Sequence, residues 1–224
     1  MRSSSLKFVV APIFLIDIAL IAICSTQIFE VTLGRCFVVS TMYYEYINKR
    51  IVDIEKEGII LLTSALEQTG DMYGIYGFSG YGRENVEFYV IKEMEERWSP
   101  SIPKRVDRIA PLHATRMGPA IRHATSKLTQ VDAKSRILFM ISDGRPQDRG
   151  YSREGVEKEY AVHDTRVAFD EARKEGVTPF CLTVDKNGHD YLKTMMQDMS
   201  YEVLSDITML PTRLPQLYRE LTQA

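Results

Sequence analysis

Apolar positions recur with two different periods along this chain, and the order in which those periods alternate predicts an α/β sheet flanked by helices. Ile51, Ile54, Leu61, Leu62, Ala65 and Leu66 fall along one side of a helix over residues 51–68, with Gly70 as its stop signal. Met72 to Phe78 and Val86 to Lys92 read as strands. The second alternates Val86, Phe88 and Val90 against Glu87, Tyr89 and Ile91. The intervening Gly80-Tyr81-Gly82-Arg83 loop makes the two an antiparallel hairpin at one edge of the sheet. Glu93 to Pro111 is polar, carries proline and the single tryptophan, Trp98, and reads as a surface connection with one short helix.

Met117, Ala120, Ile121, Ala124 and Leu128 then share one side of a helix, with Thr115 just before it. Arg136 to Ser142 is a compact apolar strand ending directly in the turn pair Asp143-Gly144. A polar loop from Arg145 leads to a helix over about 164–175, then Gly176 and a buried strand over 178–184. Such a strand–crossover–strand unit requires parallel pairing and a right-handed connection. A short helix near 190–198, a brief strand over 201–204 and a last helix over 214–221 complete the pattern. The sum is an α/β fold, a mainly parallel sheet with one antiparallel edge strand, flanked by helices.

The start of the chain follows a different pattern. Phe8 to Cys24 is an apolar run broken only by Pro12 and Asp17 and preceded by Arg2 and Lys7. As a signal anchor it is close to the minimum spanning length, and a carboxylate near its middle costs about 2.5–3.5 kcal/mol on insertion scales. As a central strand covered on both faces the same run needs no such penalty. The strand is the preferred reading, and contact with a membrane stays open beside it.

Composition narrows the classes. A chain of 224 residues supports one well-filled core, so the expectation is a single domain, with residues 1–46 an atypical segment holding the first strand and 47–224 the regular α/β part. The 28 Lys and Arg nearly balance 30 Asp and Glu, for a net charge of −2, which gives nucleic acid no electrostatic purchase. Cys24, Cys36 and Cys181 lie far apart, with no CxxC pair, as expected of a reducing, cytoplasmic setting.

Ligand groups in open α/β sheets gather outside the carboxyl ends of the strands. Three oxygen donors fall at such places: Asp17 in the first apolar run, Thr115 before a helix and Asp143 after a strand. Carboxylate and hydroxyl oxygens suit a hard cation such as Mg²⁺. Each also has a local explanation: Asp143 as a turn residue bonding nearby amides, Thr115 as a helix N-cap. Gly77, Gly80 and Gly82 miss the nucleotide-binding spacing, and the four histidines form no paired motif. Neither a GxSxG nucleophile nor a GxxxxGK[ST] loop is present, and Cys181 lies inside an apolar strand. A magnesium-dependent hydrolase or phosphotransferase built on Asp143 and Asp17 would still lack an identifiable base.

Long stretches add to this reading. ISDGRPQDRGY (141–151), HDTRVAFDEARKEGVTPFCLTVD (163–185) and LPTRLPQLYRELT (210–222) resemble the carboxyl-terminal von Willebrand factor type A (VWA) domain of the NorD and CbbO activation proteins. So do VDIEKEGIILLTSALEQTGD (52–71), IYGFSGYGRENVEFYVIKEMEE (75–96) and TRMGPAIRHATSKL (115–128). The resemblance implies a Rossmann-like VWA fold with helices on both faces of the sheet and a metal-ion-dependent adhesion site, in which a domain-bound Mg²⁺ completes its shell with a partner's acidic side chain. It also implies joint action with a MoxR-type AAA+ ATPase on a metalloenzyme such as nitric oxide reductase. Thr115 and Asp143 match the second and third parts of that site. The first part, Asp-x-Ser-x-Ser, meets Asp17-Ile18-Ala19-Leu20-Ile21, where both hydroxyls are replaced by apolar groups. A metal-free scaffold that has kept the fold is therefore the alternative.

Overall fold

The computed structural model describes residues 20–25, 33–40, 45–46 and 49–223, apart from 81, 111–113, 143, 149–156, 184 and 186–187; side-chain environments begin at Val52. Among the described residues, β1 (Leu20–Ser25) and β2 (Leu33–Ser40) precede a two-residue pair, β3 (Glu45–Tyr46) and β4 (Lys49–Arg50). Helix α1 (Ile51–Thr69) leads into β5 (Asp71–Gly80) and β6 (Val86–Lys92). Then come α2 (Ser101–Asp107), α3 (Met117–Thr129), β7 (Ser135–Ser142) and α4 (Glu157–Lys174). The chain continues through β8 (Val177–Thr183), α5 (Gly188–Met196), β9 (Tyr201–Val203), a 3-10 turn (Ile207–Met209) and α6 (Leu210–Gln223).

The main sheet runs β6-β5-β1-β2-β7-β8-β9. β7, β8 and β9 are parallel, and β2 is parallel to both β5 and β7. β6 closes one edge by antiparallel pairing with β5. β1 is antiparallel to β5 and to β7, so antiparallel pairing is not confined to the edge, as the sequence pattern had suggested. An apolar run marks a strand as central but carries no information about its direction, which explains the difference. The sequence reading also passed over β2, where Cys36 to Val39 supply the apolar run.

Alternation along the strands builds two cores. Ile137, Phe139 and Ile141 of β7 join Tyr73, Ile75, Phe180 and Leu182 beneath α1, α2 and α6, which contribute Leu62, Ile102 and Leu214. Leu138 and Met140 point the other way, with Tyr76, Phe78 and Cys181, beneath α3, α4 and α5. At roughly 25 cal/mol per Å² of apolar area removed from water, each layer alone stabilises by several kcal/mol per large side chain pair. The segment after β6 is more than a surface connection: Ile102, Val106 and Ile109 are buried in the α1 layer and Met94 in the α3 layer, while Trp98 is 37% exposed. Proline and charge made it look solvated, yet Ile102 and Val106 repeat at helical spacing.

Helix α1 buries Val52, Ile54, Ile59, Leu62 and Leu66, while Leu61, expected on its inner face, is 50% exposed. Gly70 ends α1 with φ +73°, a left-handed position that glycine reaches without strain. Helices α4 and α6 begin several residues before their predicted starts, and α5 ends two residues early. No helix among the described residues is long and apolar enough to cross a membrane.

Candidate functional site

The carboxyl ends of β2, β7 and β8 lie side by side. Ser40 pairs with Ser142, and Ser142 with Thr183, so one hydroxyl residue ends each of three adjacent parallel strands. The Ser142 hydroxyl donates to the Gly144 carbonyl at 2.7 Å and accepts from its N–H at 3.3 Å, closing the first turn after β7. Thr183 Oγ1 accepts from the Asp185 N–H at 3.2 Å and lies 3.3 Å from the Tyr191 hydroxyl. Both hydroxyls are thus committed to shaping the loops. Sequence reasoning missed this row; its signal is a hydroxyl at the last position of each apolar run.

Thr115 stands at the same end of the sheet and is 6% exposed. Its N–H donates to the Gln147 carbonyl at 3.0 Å, and the Gln147 N–H donates back to the Thr115 carbonyl at 3.1 Å. This isolated antiparallel bridge ties the residue before α3 to the loop after β7. The N-cap position of α3 falls to Arg116, with no side-chain cap, so Thr115 lies one residue outside the helix. Its backbone is spent on the bridge instead of the helix start.

The next residue on each side of the bridge is also paired. Arg116 Nη1 lies 2.5 Å from Asp148 Oδ2, the arginine side chain being 7% exposed and the aspartate 0%. The other carboxylate oxygen, Oδ1, accepts from the Gly82 N–H at 2.9 Å. Gly82 has φ +75°, a turn of the β5–β6 hairpin tip that suits glycine, and a side chain at Gly80 would reach the Arg116 Cβ at 3.5 Å. One aspartate therefore joins three loops: the hairpin tip, the turn before α3 and the loop after β7.

Of the residues singled out as cation ligands, only Thr115 is among those described. Asp143 follows Ser142 in the chain and Asp17 precedes β1, but both lie outside the described residues, as do His113 and most of the loop from Arg149. Among the described residues, no cluster of three or more histidine, cysteine or acidic side chains could hold a metal. The hard oxygen donors expected from the sequence, Thr115, Asp143 and Asp17, are of the kind Mg²⁺ accepts, and two of the three lie outside the described residues.

The remaining reactive groups lie elsewhere. Burial pushes the Cys181 thiol up to about 12, which leaves it protonated and inert. His123 packs edge-on against Phe88, and burial, aided by Lys127, lowers its pKa. Arg122 joins α3 to α4 through Asp164 at 2.9 Å and Glu171 at 2.5 Å.

Sheet order and the two helical layers define an α/β domain with helices on both faces of its sheet, and the chain belongs to the von Willebrand factor type A domain family, whose model matches residues 46–214. Among individual proteins it is 37% identical over 182 residues to an uncharacterized protein of Pseudomonas aeruginosa, covering 81% of this chain and 29% of that one. It is 33% identical over 174 residues to Protein NorD of Brucella melitensis, covering 78% of this chain and 27% of that protein. With Protein NorD of Stutzerimonas stutzeri it shares 32% identity over 157 residues, 70% of this chain and 25% of that one. The chain thus spans between 25% and 29% of the length of these relatives.

Proposed function

We propose that this domain acts by binding another protein through the carboxyl edge of its sheet, and not by catalysing a reaction. The observation that carries the reading is the interlocked rim around Thr115, in which a backbone bridge and a buried ion pair fix the turn before α3 against the loop after β7. A rim held in one geometry before its partner arrives loses little freedom on binding. Thr115 and Asp143, with Asp17, would hold Mg²⁺ there, and an acidic side chain of the partner would fill the open position. Loop residues from Arg145 onward, adjoining the site in sequence, would select that partner.

Similarity to proteins named NorD supports a role as an accessory factor. In our reading the partners are a MoxR-type AAA+ ATPase and a target metalloenzyme such as nitric oxide reductase, the ATP chemistry residing in the ATPase. A second reading has an observation of its own: Ile18, Ala19, Leu20 and Ile21 follow Asp17 where hydroxyl ligands are expected, and hydrocarbon cannot solvate a divalent ion. The domain would then be a metal-free scaffold with the same docking edge.

Calorimetric titration of Mg²⁺ and Mn²⁺ into the protein and into Asp143→Ala decides between them. Saturable binding that disappears in the variant is expected of the cation-bridged site. Absence of binding in both proteins would sink that mechanism and leave the metal-free scaffold. Metal-dependent turnover of a generic phosphoester, lost in Asp143→Asn, would overturn the non-catalytic reading altogether.

A further inference from the structure

The Arg116–Asp148 pair is expensive to bury, since both ions leave water, and a buried pair is seldom the most stable filling for such a space. Its place in the fold suggests what it does. Thr115 and Arg116 are consecutive, and so are Gln147 and Asp148. The bridge is antiparallel, so Arg116 and Asp148 leave it in opposite directions along the two segments, and their side-chain pair is a diagonal brace across the Thr115–Gln147 bridge. An isolated bridge has only two hydrogen bonds and no strand on either side to keep it closed. The Arg116–Asp148 brace supplies that support, and the Gly82 N–H anchors Asp148 from a third direction.

We propose that Asp148 and Arg116 are positioning residues for the docking edge: together they hold the Thr115–Gln147 bridge shut, so that Thr115 is presented in one fixed place beside the loop that carries Asp143. Asp148 is the centre of the device because each of its carboxylate oxygens serves a different loop. A longer or neutral side chain there cannot satisfy both. Arginine is suited to the other side because its planar head is charged at every relevant pH and directs its donors in fixed directions. The functional part of this assignment rests on Thr115 belonging to the docking site; the mechanical part does not.

Two measurements separate those parts. The first is amide hydrogen exchange, followed residue by residue on the metal-free protein, in Asp148→Ala, Asp148→Asn and the paired replacement Arg116→Met with Asp148→Leu. The paired replacement guards against misfolding, because it removes both charges and strands neither. Exchange at Thr115 and Gln147 is expected to accelerate at least tenfold in all three, while amides of β7 and β8 keep their protection. Asp148→Asn keeps an acceptor for the Gly82 N–H, so the Gly82 amide should stay protected in that variant alone. Unchanged exchange at Thr115 and Gln147, or a uniform acceleration across the domain, would overturn the clamp.

The second measurement is Mn²⁺ affinity of the same proteins by calorimetry. Affinity at least tenfold weaker in the folded variants, alongside the local exchange change, supports the positioning role. Local exchange change with undiminished Mn²⁺ affinity would overturn it. If the unsubstituted protein binds no Mn²⁺ while the bridge amides still respond, the clamp stands and the cation reading is what fails.

Discussion

Lys92 shows how a single residue can be misplaced by a regular pattern. Alternation along β6 puts it on the Phe88 side, but the register shifts there, with Tyr76 opposite Val90 and Ile75 opposite Lys92. The extra residue, Ile91, makes a bulge that turns Lys92 to the other face. Lys92 is 2% exposed, and its ammonium donates to the Tyr73 carbonyl at 2.7 Å and the Glu93 carbonyl at 3.2 Å and lies 3.9 Å from the Tyr73 ring centroid. Burial lowers its pKa from 10.5 to about 8, partly offset by Glu67 and Glu96. Between those values the unfolded chain holds a proton that the folded chain does not, so this group makes stability rise with pH from about 8 to 10.5 and imposes its full penalty below 8. The gain amounts to at most about 3 kcal/mol. Cys181 works in the opposite sense above pH 9, because its folded thiol keeps a proton that the unfolded one loses, and the raised Tyr73 hydroxyl does so above pH 10. Urea midpoints between pH 7.5 and 9 should therefore climb more steeply in the unsubstituted protein than in Lys92→Met. Parallel curves would show that the lysine keeps its charge when folded. The sequence shows a lysine at a strand end; the bulge that buries it depends on pairing with β5, which one strand's pattern does not contain. Thr115, by contrast, was legible, because its place before α3 follows from the helix's own periodicity.

Elements were legible where they have a face of their own. Helices α3, α4 and α5 and strands β7 and β8 each bury one side or lie between two layers, and their residues say so. The directions of β1 and β2 were not, since both are apolar and only their neighbours decide how they run. Nor was the full length of α6, whose first turn contains Pro211 and whose interior contains Pro215. Beside the buried Leu210, Leu214, Leu217 and Tyr218, an arginine clips α6 to the sheet edge. Arg213 donates to Glu202 of β9 at 2.7 and 2.8 Å and to Glu220, further along the helix, at 2.7 and 3.1 Å. These bonds raise the Arg213 pKa, and the same arginine lowers that of Glu220. The two carboxylates are not equivalent. Glu202 belongs to another element and its side chain is 26% exposed, whereas that of Glu220 is 58% exposed on the same helix. Glu202→Gln should cost about 1 kcal/mol and Glu220→Gln clearly less, since solvent screens an exposed pair on one helix. Thermal melts of the two variants at low and moderate salt would test the order. Equal losses would mean that the clip does not fasten β9 to α6.

At the scale of the whole molecule the open question is whether two cores separated by a sheet behave as one. β7 belongs to both: Phe139 faces the α1 side and Met140, its neighbour, the α3 side, and each is fully buried. Any loss of packing on one face therefore changes the backbone on which the other face is built. Truncating either residue to alanine should cost about 2–5 kcal/mol, the range for large buried side chains cut back to a methyl. The informative comparison is which probe reports the loss. Trp98 lies at the start of the segment whose Ile102 and Val106 pack in the α1 layer, so its fluorescence reports that side of the sheet. Met140→Ala removes packing from the opposite side. If the domain is one cooperative unit, urea unfolding of Met140→Ala followed by Trp98 fluorescence will coincide with that followed by far-ultraviolet ellipticity, at a midpoint lowered equally in both. Were the layers independent, ellipticity would fall in two stages while the Trp98 transition stayed where it is in the unsubstituted protein. Coincidence would also bear on the docking edge, because the loops joined by Asp148 leave from strands that serve both cores, and a rim built on a single unit cannot loosen on one face alone.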